Sequence, residues 1–593
     1  MVSFLRGALA PGLLAAGALA LSLPGEATAQ GMFPAIPDDF AAKLVAQENA
    51  PLAKLTPVTD AMLRDPPAGD WLMWRRTYDG WGYSPLDQVT RDNVKGLQLV
   101  WSWSMTNGGT EITPLVHDGV LFVQNYGDSV DALDAASGNL LWRYNRTLPK
   151  AVGASVKRMM AIHDDKVLVA TSDKHLVALD MRTGAAAWDQ AVAGDGTFTS
   201  GPMVVNGKAI IGATGCLTSR CSITGHDLAD GHELWRFYTV AGPDEPGGDT
   251  WNGLPVDQRF GGSSWTSGSY DPARNLLYWG VGQPYPWNAF ARGTSPTKPG
   301  SSSETLYTNN TLALDPDTGK LAWHFSHLPN DSWDMDYVFE RELIDLPVKG
   351  KMRKVAITSG KLAIIEGLDA ETGKFVFAKD LGIQNIVKSI DPATGAKTIN
   401  PAVIAHPNET VSICPHPGGG RSVGLSAYDP QTGLLYMPLQ EHCTDMTPLP
   451  REPGEKTAPS KFVLKLREGS DGNLGRLDAI DMKTLAPAWS HRERAPQSTA
   501  ALPTAGGVVF QGDFDRYFKA YDAKTGQELW RVRLSDAPNG PPIAFSVNGK
   551  QYIAVTTGSG SPYTRTWGNL VPDIRNPPGG GATLWVFALP DRP

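Results

Sequence analysis

A short motif recurs seven times along the chain and restricts the fold more than any other feature. Each copy has a small residue, a second and mostly apolar residue, and Asp, followed by a Thr-Gly type of turn and then Trp. The first copy is Ala132-Leu133-Asp134 with Gly138 and Trp142. Repeats of this kind are typical of propellers and solenoids. The further copies centre on Asp180, Asp227, Asp315, Asp369, Asp481 and Asp522.

The spacing of the motif indicates four-stranded blades. Consecutive Asp residues lie 46, 47, 88, 54, 112 and 41 positions apart. The shorter intervals fit one propeller blade each, and the two long ones indicate insertions. Asp and Gly suit a hairpin turn, and the Trp that follows is expected to pack against the next blade. Two copies deviate, because Phe377 replaces Trp in the fifth and Leu485 replaces Gly in the sixth.

Two apolar strands without a repeat of their own stand at the two ends of the pattern. One contains Trp101, and the other is 583–588. Pairing them would close a ring and remove open sheet edges. We therefore predict an all-β, eight-bladed β-propeller with tryptophan-docking repeats, closed by its N- and C-terminal strands. The segments expected to cover one mouth of the channel are 285–310, 442–475 and 558–582.

The N-terminus predicts export. Arg6 precedes an apolar stretch at 8–23, and Ala27-Thr28-Ala29 is a small-x-small cleavage pattern. A membrane anchor is the alternative, although the stretch is short for one. No later segment is long and apolar enough, so we expect a periplasmic protein with no membrane span after cleavage. The predicted parts are a signal peptide at 1–29, an extension with short helices near 38–49 and 59–63 at 30–70, and the propeller at 71–593.

Charge and cysteine content narrow the function classes. The net charge of −8 argues against a nucleic-acid partner, because no basic excess is present to neutralise phosphates. The four cysteines are an even number in an exported chain, which favours two disulfides, with buried free thiols as the alternative. No CxxCH motif occurs, so no covalently attached haem is expected.

The repeats and several local motifs resemble the quinoprotein alcohol dehydrogenases, which depend on pyrroloquinoline quinone (PQQ). The resemblance runs from Trp71 to Leu589 and is closest to the haem-free branch with the sorbose and sorbosone dehydrogenases. It implies PQQ in the propeller channel beside Ca²⁺ or a lanthanide ion. It also implies a disulfide between Cys414 and Cys443. Motifs shared with that branch include Pro57-Val58-Thr59-Asp60, Thr224-Gly225-His226-Asp227 and Gly512–Phe518.

The segment Asn330–Asp336 resembles the catalytic Trp-Asp segment of this family. The resemblance makes Asp334 the general base that takes the alcohol proton, which needs a base close to the substrate hydroxyl. Asp336 follows two residues later, so on an extended strand both carboxylates would share one face. The resemblance associates this second Asp with a lanthanide. It makes Asp334, Asp336 and Gln283 the metal ligands, and Gln283 replaces the family's Asn. A solvated acidic turn is the alternative.

The resemblance also names a cofactor site. Trp265 would stack under the planar cofactor, and Arg158 would bind one of its carboxylates. Lys361 would lie beside the reactive carbonyl as a second catalytic residue. Departures from the family pattern are the missing vicinal cysteines near Arg158, the missing Glu after Gly215 and Ser422-Val423 in place of Asn-Trp. The remaining predicted cofactor contacts are Glu111, Ser200, Thr214, Gly215 and Ser263.

These observations predict an exported PQQ-dependent dehydrogenase. It would oxidise primary or secondary alcohol groups of a polyol, a sugar or a bulkier alcohol by hydride transfer to the quinone. Electrons would pass to a separate soluble acceptor such as a cytochrome c. The alternative from another class is a non-enzymatic propeller scaffold of the outer-membrane assembly type, which shares the repeats but lacks the Trp265, Lys361 and Asp334 set.

Overall fold

The computed structural model describes residues 49–560, 564–577 and 580–591. The predicted signal peptide and nearly all of the first predicted helix lie outside these residues. In the described part of the chain, no helix is both long and apolar enough to cross a membrane. The α-helices are α1 (Ala50–Lys54), α2 (Asp60–Arg64) and α3 (Ala289–Arg292), and the 3₁₀ turns are Val94–Gly96, Gly248–Trp251, Val256–Gln258, Pro401–Val403 and Thr564–Asn569.

Eight four-stranded antiparallel sheets form the body of the described chain, as the repeat arithmetic predicts. Blade 1 is Leu115–His117, Val120–Gln124, Val130–Asp134 and Leu140–Tyr144. Blade 2 is Ala161–His163, Lys166–Ala170, His175–Asp180 and Ala186–Ala191. Blade 3 is Met203–Val205, Lys208–Gly212, Ser222–Asp227 and Glu233–Tyr238. Blade 4 is Ser269–Asp271, Leu276–Gly280, Asn310–Leu314 and Leu321–Ser326.

The remaining blades complete the propeller, and the last one confirms the predicted closure by the two chain ends. Blade 5 is Glu342–Val348, Lys351–Ser359, Ile364–Asp369 and Phe375–Asp380. Blade 6 is Ala427–Asp429, Leu434–Gln440, Gly475–Asp481 and Pro487–Glu493. Blade 7 is Leu502–Thr504, Val508–Gly512, Tyr517–Asp522 and Glu528–Arg533. Blade 8 joins Ile543–Val547, Lys550–Thr557 and Thr583–Ala588 to Gln98–Ser104 from the N-terminal side.

The repeat motif works as a docking contact between neighbouring blades. Within a turn, the Asp134 carboxylate accepts hydrogen bonds from the amides of Ala136 and Ser137 at 2.8 and 3.1 Å. Between blades, the Trp142 indole N–H donates to the Met181 carbonyl at 3.0 Å, and its ring lies against Gly184 of the next motif. The indole ring thus packs on the next motif and its N–H is hydrogen-bonded there, so each blade stabilises its neighbour.

The two deviating copies of the motif pack against one apolar cluster. Where the fifth motif has Phe377 in place of Trp, the following motif has Leu485 in place of Gly. Both side chains pack against the same apolar cluster around Ile365, Leu435 and Ile480. A smaller ring therefore leaves room that a leucine fills. The paired change indicates that this interface keeps its apolar contact without the indole.

Substituting Gly184 tests the docking contact. A Cβ atom added at Gly184 would lie 2.5 Å from Cε3 of Trp142, whereas a Cβ at Gly433 would meet nothing within 4 Å. Both glycines have positive φ, at 71° and 74°, so Gly184→Ala and Gly433→Ala share the backbone strain. We expect Gly184→Ala to lower the free energy of unfolding by about 1–3 kcal/mol more than Gly433→Ala. Equal losses of unfolding free energy in the two variants, measured by denaturant unfolding, would show that the packing of the Trp142 indole does not depend on Gly184.

The long insertions contain structure of their own. Phe260–Gly261 pairs with Pro284–Tyr285, and Val387–Ile390 pairs with Lys397–Ile399. In segment 442–475, predicted only as a covering insertion, His442–Pro448 and Ser460–Leu466 form a hairpin that Val411–Ile413 extends to three strands. Two disulfides, Cys216–Cys221 and Cys414–Cys443, contain all four cysteines.

Candidate active site

An acidic loop between blades 4 and 5 carries the predicted catalytic residues. The Asp331 carboxylate accepts hydrogen bonds from the amides of Trp333 and Met335 at 2.8 and 2.7 Å. These bonds fix the backbone of the loop on both sides of Asp334. Asp334 has a φ of 63°, a conformation that is costly for any residue other than glycine. The prediction that Asp334 and Asp336 share a face of an extended strand is therefore wrong, because the backbone turns at Asp334. Sequence reasoning also missed the role of Asp331.

Lys361 brings the two carboxylates together. Its ammonium lies 3.2 Å from Asp334 Oδ1 and 2.7 Å from Asp336 Oδ2, and it donates to the Asp334 carbonyl at 2.9 Å. All three side chains are buried. Burial alone would lower the pKa of Lys361, but the two carboxylates outweigh it and raise that pKa. Lys361 is therefore charged at neutral pH, and its ammonium bridges the two carboxylates.

Gln283 adjoins this group through its backbone. The Gln283 amide donates to Asp336 Oδ1 at 3.0 Å, and the Gly282 amide donates to the Ser263 carbonyl at 2.8 Å. The Gly282 backbone packs tightly against the Asp336 carboxylate, because an added Cβ would lie 2.4 Å from Asp336 Oδ1. The segment thus connects the acidic loop to Ser263, so the structure brings Gln283, Asp334 and Asp336 to one place.

Trp265 follows two residues after Ser263 and lies on an apolar cluster. The cluster contains Trp74, Met159, Phe339, Leu425 and Ala500, and the Phe339 ring contacts the indole edge-on at 5.1 Å. The pocket against the indole is half-open, and Glu111 and Arg158 line it together with Trp265. Trp265 is only partly buried, so the part of the indole outside the cluster is where a planar ligand would stack.

Arg158 and Glu111 form an ion pair next to Trp265. Arg158 Nη2 lies 2.7 Å from Glu111 Oε2, and the guanidinium carbon lies 4.9 Å from the centre of the indole ring. Arg158 also donates to the Thr199 carbonyl at 3.3 Å. The structure therefore brings Glu111, Arg158 and Trp265 together, as the resemblance implies. The guanidinium is held by an anion and an aromatic face.

The small predicted cofactor contacts differ in their accessibility. Ser263 Oγ accepts from the Gly215 amide at 3.1 Å, and Gly215 is exposed beside the half-buried Thr214. Thr214 Oγ1 accepts a hydrogen bond from the Thr199 hydroxyl at 3.2 Å. Ser200 is buried and donates to the Gly212 carbonyl at 2.9 Å, so its hydroxyl is already used within blade 3. Of these residues, Ser263, Thr214 and Gly215 present accessible groups.

Buried polar atoms at the site that lack a hydrogen-bond partner in the described part of the chain include Gln283 Oε1, Glu111 Oε1 and Arg158 Nε. An amide oxygen beside two carboxylates is a ligand set that Ca²⁺ and the lanthanides prefer. A guanidinium N–H suits a carboxylate such as those of PQQ. The groups present therefore fit both a hard cation and an acidic planar cofactor.

A buried acid network lies behind the Trp265 cluster and was not foreseen from the sequence. Arg421 forms an ion pair with Glu340, and its guanidinium carbon lies 4.6 Å from the centre of the Phe339 ring. The Ser426 hydroxyl contacts both Glu340 and Glu342, the latter at 2.6 Å. A hydroxyl has one proton, so it can donate to only one of them. Burial and the Glu340 charge raise the pKa of Glu342 to about 8, and a protonated Glu342 can donate to Ser426.

This network predicts a pH dependence of stability. The folded pKa of Glu342 exceeds its ordinary value, so its favourable contribution is complete below that ordinary value and is lost as pH rises towards 8. We expect the free energy of unfolding to fall between pH 5 and 8 more steeply than in Glu342→Gln, by at most about 1.4 kcal/mol per pH unit. Exposed Glu371→Gln is the control and should follow the wild type. Parallel wild-type and Glu342→Gln profiles would contradict a neutral Glu342.

The chain is similar to known proteins over nearly its whole length. The sequence profile of the PQQ glucose/ethanol/alcohol dehydrogenase β-propeller domain matches residues 71–380 and 396–553. Quinohemoprotein alcohol dehydrogenase ADH IIB of Pseudomonas putida is 35% identical over 574 residues, covering 91% of this chain and 81% of that protein. Quinoprotein ethanol dehydrogenase of Pseudomonas aeruginosa is 31% identical, covering 91% of this chain and 94% of that protein.

Solved structures agree with the sequence matches. The quinohemoprotein alcohol dehydrogenase of Comamonas testosteroni superposes with a TM-score of 0.82 at 30% identity, covering 93% of this chain and 84% of that chain. A europium-containing methanol dehydrogenase superposes with a TM-score of 0.80 at 28% identity, covering 89% of this chain and 99% of that chain.

Proposed function

We propose, for a chain that belongs to the β-propeller family of PQQ-dependent glucose, ethanol and alcohol dehydrogenases, that the acidic loop and Lys361 form the site where PQQ bound over Trp265 would oxidise an alcohol. The chain is an oxidoreductase of this family and carries out PQQ-dependent alcohol oxidation. Membership of this enzyme family excludes the alternative of a non-enzymatic propeller scaffold. The observation that carries the site assignment is the convergence of Asp334, Asp336 and Lys361. The Gly282 amide links this group to Ser263, two residues before Trp265.

The residues divide into those that would hold the cofactor and those that would hold the metal. Trp265 would stack on PQQ, and Arg158 would pair with one of its carboxylates, with Glu111 keeping Arg158 in place. Ser263, Thr214 and Gly215 would line the remaining edge, and Ser200 would support blade 3 behind them. Asp334, Asp336 and Gln283 would hold Ca²⁺ or a lanthanide ion. The pairing of one ammonium with two carboxylates supports this assignment.

Proton transfer is assigned to Asp334. PQQ, when bound, supplies a quinone that accepts a hydride from the alcohol carbon. Asp334 would take the proton of the alcohol hydroxyl, which a carboxylate does when it lies within hydrogen-bond reach. Lys361 would remain an ammonium and stabilise negative charge that develops beside it in the buried site. The substrate is a primary or secondary alcohol group of a polyol, a sugar or a bulkier alcohol.

Electrons are proposed to leave to a separate soluble acceptor such as a cytochrome c. Both disulfides together use all four cysteines, so none remains for covalent haem attachment. The proposed location is the periplasm after removal of the signal peptide 1–29. An oxidising compartment agrees with two disulfides in the folded chain.

Reconstitution tests the proposal. Purified protein is incubated with PQQ and either Ca²⁺ or La³⁺, and dye reduction is measured across primary alcohols, secondary alcohols, polyols and sugars. We expect bound quinone absorbance and alcohol-dependent dye reduction with at least one of the metals. Neither absorbance nor turnover with either metal would contradict the proposed site. Asp345→Asn changes an exposed residue of blade 5 and serves as the control, so it should bind quinone and turn over like the wild type.

A further inference from the structure

A row of aromatic and imidazole rings beside the acidic loop is not used by the proposed reaction. The ring centres of Tyr285 and Trp287 are 6.0 Å apart, and those of Trp287 and Phe462 are 6.1 Å apart. Phe462 is followed by His416 at 5.6 Å and His416 by His442 at 5.5 Å. We call these five residues the aromatic wall. Their continuous contacts make one surface from two separate insertions.

The wall reaches the catalytic groups. At one end, Tyr285 follows two residues after Gln283, whose amide donates to Asp336 Oδ1 at 3.0 Å. Burial, the neighbouring His442 and the Lys361 charge lower the pKa of His416 to about 2 near the other end. An added Cβ at Gly419 would lie 2.8 Å from Lys361 Cγ, so the segment after His416 packs directly on Lys361. The wall therefore borders the place where the alcohol would react.

A disulfide and a backbone bond hold the imidazole part of the wall. Cys414–Cys443 joins the segment before His416 to the residue after His442. The His416 amide donates to the His442 carbonyl at 3.3 Å. The positions of the two imidazoles are thus set by the framework of the insertion. This is the arrangement expected of a recognition surface that must keep its shape.

Two side chains of the wall have polar atoms without partners. Both ring nitrogens of His442 and the indole N–H of Trp287 make no hydrogen bond within the described residues. His442 is 1% exposed, and burial lowers its pKa to about 4, so its ring is neutral and offers one donor and one acceptor. Buried polar groups without partners cost free energy. A ligand that supplies a partner there would gain affinity.

We infer that the aromatic wall recognises a second hydroxyl of the substrate and makes diols and polyols the preferred alcohols of this site. A hydroxyl both donates and accepts, which matches a neutral imidazole and an indole N–H. The rings offer apolar faces to the C–H groups between the two hydroxyls. No wall residue carries a charge, so the wall has no counterion for an acidic substrate. This inference rests on the proposed function.

Matched alcohol pairs test the inference. The holoenzyme is assayed with primary alkanols and with α,ω-diols of the same carbon chain, and with n-propanol and glycerol. We expect kcat/KM to favour the diol of at least one pair. His442→Phe keeps a ring but removes both nitrogens, and we expect it to lower the diol-to-alkanol ratio by about 10–100-fold, mainly through KM. His232→Phe changes an exposed histidine and should leave the ratio unchanged.

Trp287→Phe gives an independent readout if His442→Phe does not fold. It removes only the indole N–H and part of the ring, and it should lower the same ratio. A wild type that favours the alkanol in every pair would overturn the inference, as would unchanged ratios in both variants. Absence of turnover with both members of every pair, although quinone is bound, would instead contradict the proposed function.

Discussion

Asp334→Asn should lower kcat by about 10²–10⁴-fold while the protein stays folded. The amide has nearly the shape of the carboxylate but cannot take the alcohol proton. Asp334 lies 3.2 Å from the Lys361 ammonium, and an amide oxygen can keep that contact as a hydrogen bond. Steady-state dye reduction with PQQ-loaded enzyme measures the effect. Quinone absorbance and metal content, measured on the same sample, separate loss of the base from loss of either group.

Two results would separate the possible roles of Asp334. If the variant keeps PQQ and metal but loses turnover, Asp334 acts as the base. If it loses metal and turnover together, its role is ligation and the base lies elsewhere. Asp345→Asn removes a carboxylate that is exposed and contacts Lys354 at 3.2 Å, so it should keep full activity. A fully active Asp334→Asn would exclude Asp334 as the base, because the amide can still ligate the metal but cannot take a proton.

Lys361→Gln should destabilise the metal-free protein by about 3–5 kcal/mol, because it leaves Asp334 and Asp336 buried without their cation. Guanidinium unfolding measures this loss. Ca²⁺ or La³⁺ should restore more stability to the variant than to the wild type, since a metal ion replaces the missing positive charge. In the loaded enzyme we expect kcat to fall by about 10²–10³-fold, the effect of removing one stabilising donor at a reacting oxygen.

Lys519→Gln is the matched control. Lys519 is also buried, and its ammonium lies 2.6 Å from Asp513 Oδ2 and contacts Glu493 as well. It should lose stability to a similar extent, yet the folded fraction should keep its turnover and gain no extra stability from metal. Equal behaviour of the two variants in turnover and metal response would show that Lys361 has only a structural role.

The repeat made most of the fold predictable. One blade cannot bury its own Trp, so the spacing of Asp, Gly and Trp already implies neighbours, as the contact of Trp142 with Gly184 confirms. The lone strands at the chain ends implied closure for the same reason, since an unpaired edge is unfavourable. The insertions were predictable as extra length only. Their strands and rings depend on contacts with distant segments, which local sequence does not encode.

The candidate site was predictable as a set of residue types at family positions, and the structure shows that Asp334, Asp336, Gln283 and Lys361 converge. The backbone conformation that brings these side chains together was not predictable. It depends on a left-handed conformation at Asp334, which the hydrogen bond from the Met335 amide to Asp331 supports. The neutral state of Glu342 was equally hidden, since it follows from burial beside Glu340.

The repeat motif specified the blades, because each motif satisfies its turn locally and its Trp in the adjacent copy. Which buried charges face each other, and which rings form the aromatic wall, depended on the folded chain. Desolvation and charge pairing act between residues far apart in the sequence. Their strength depends on positions that no local pattern specifies.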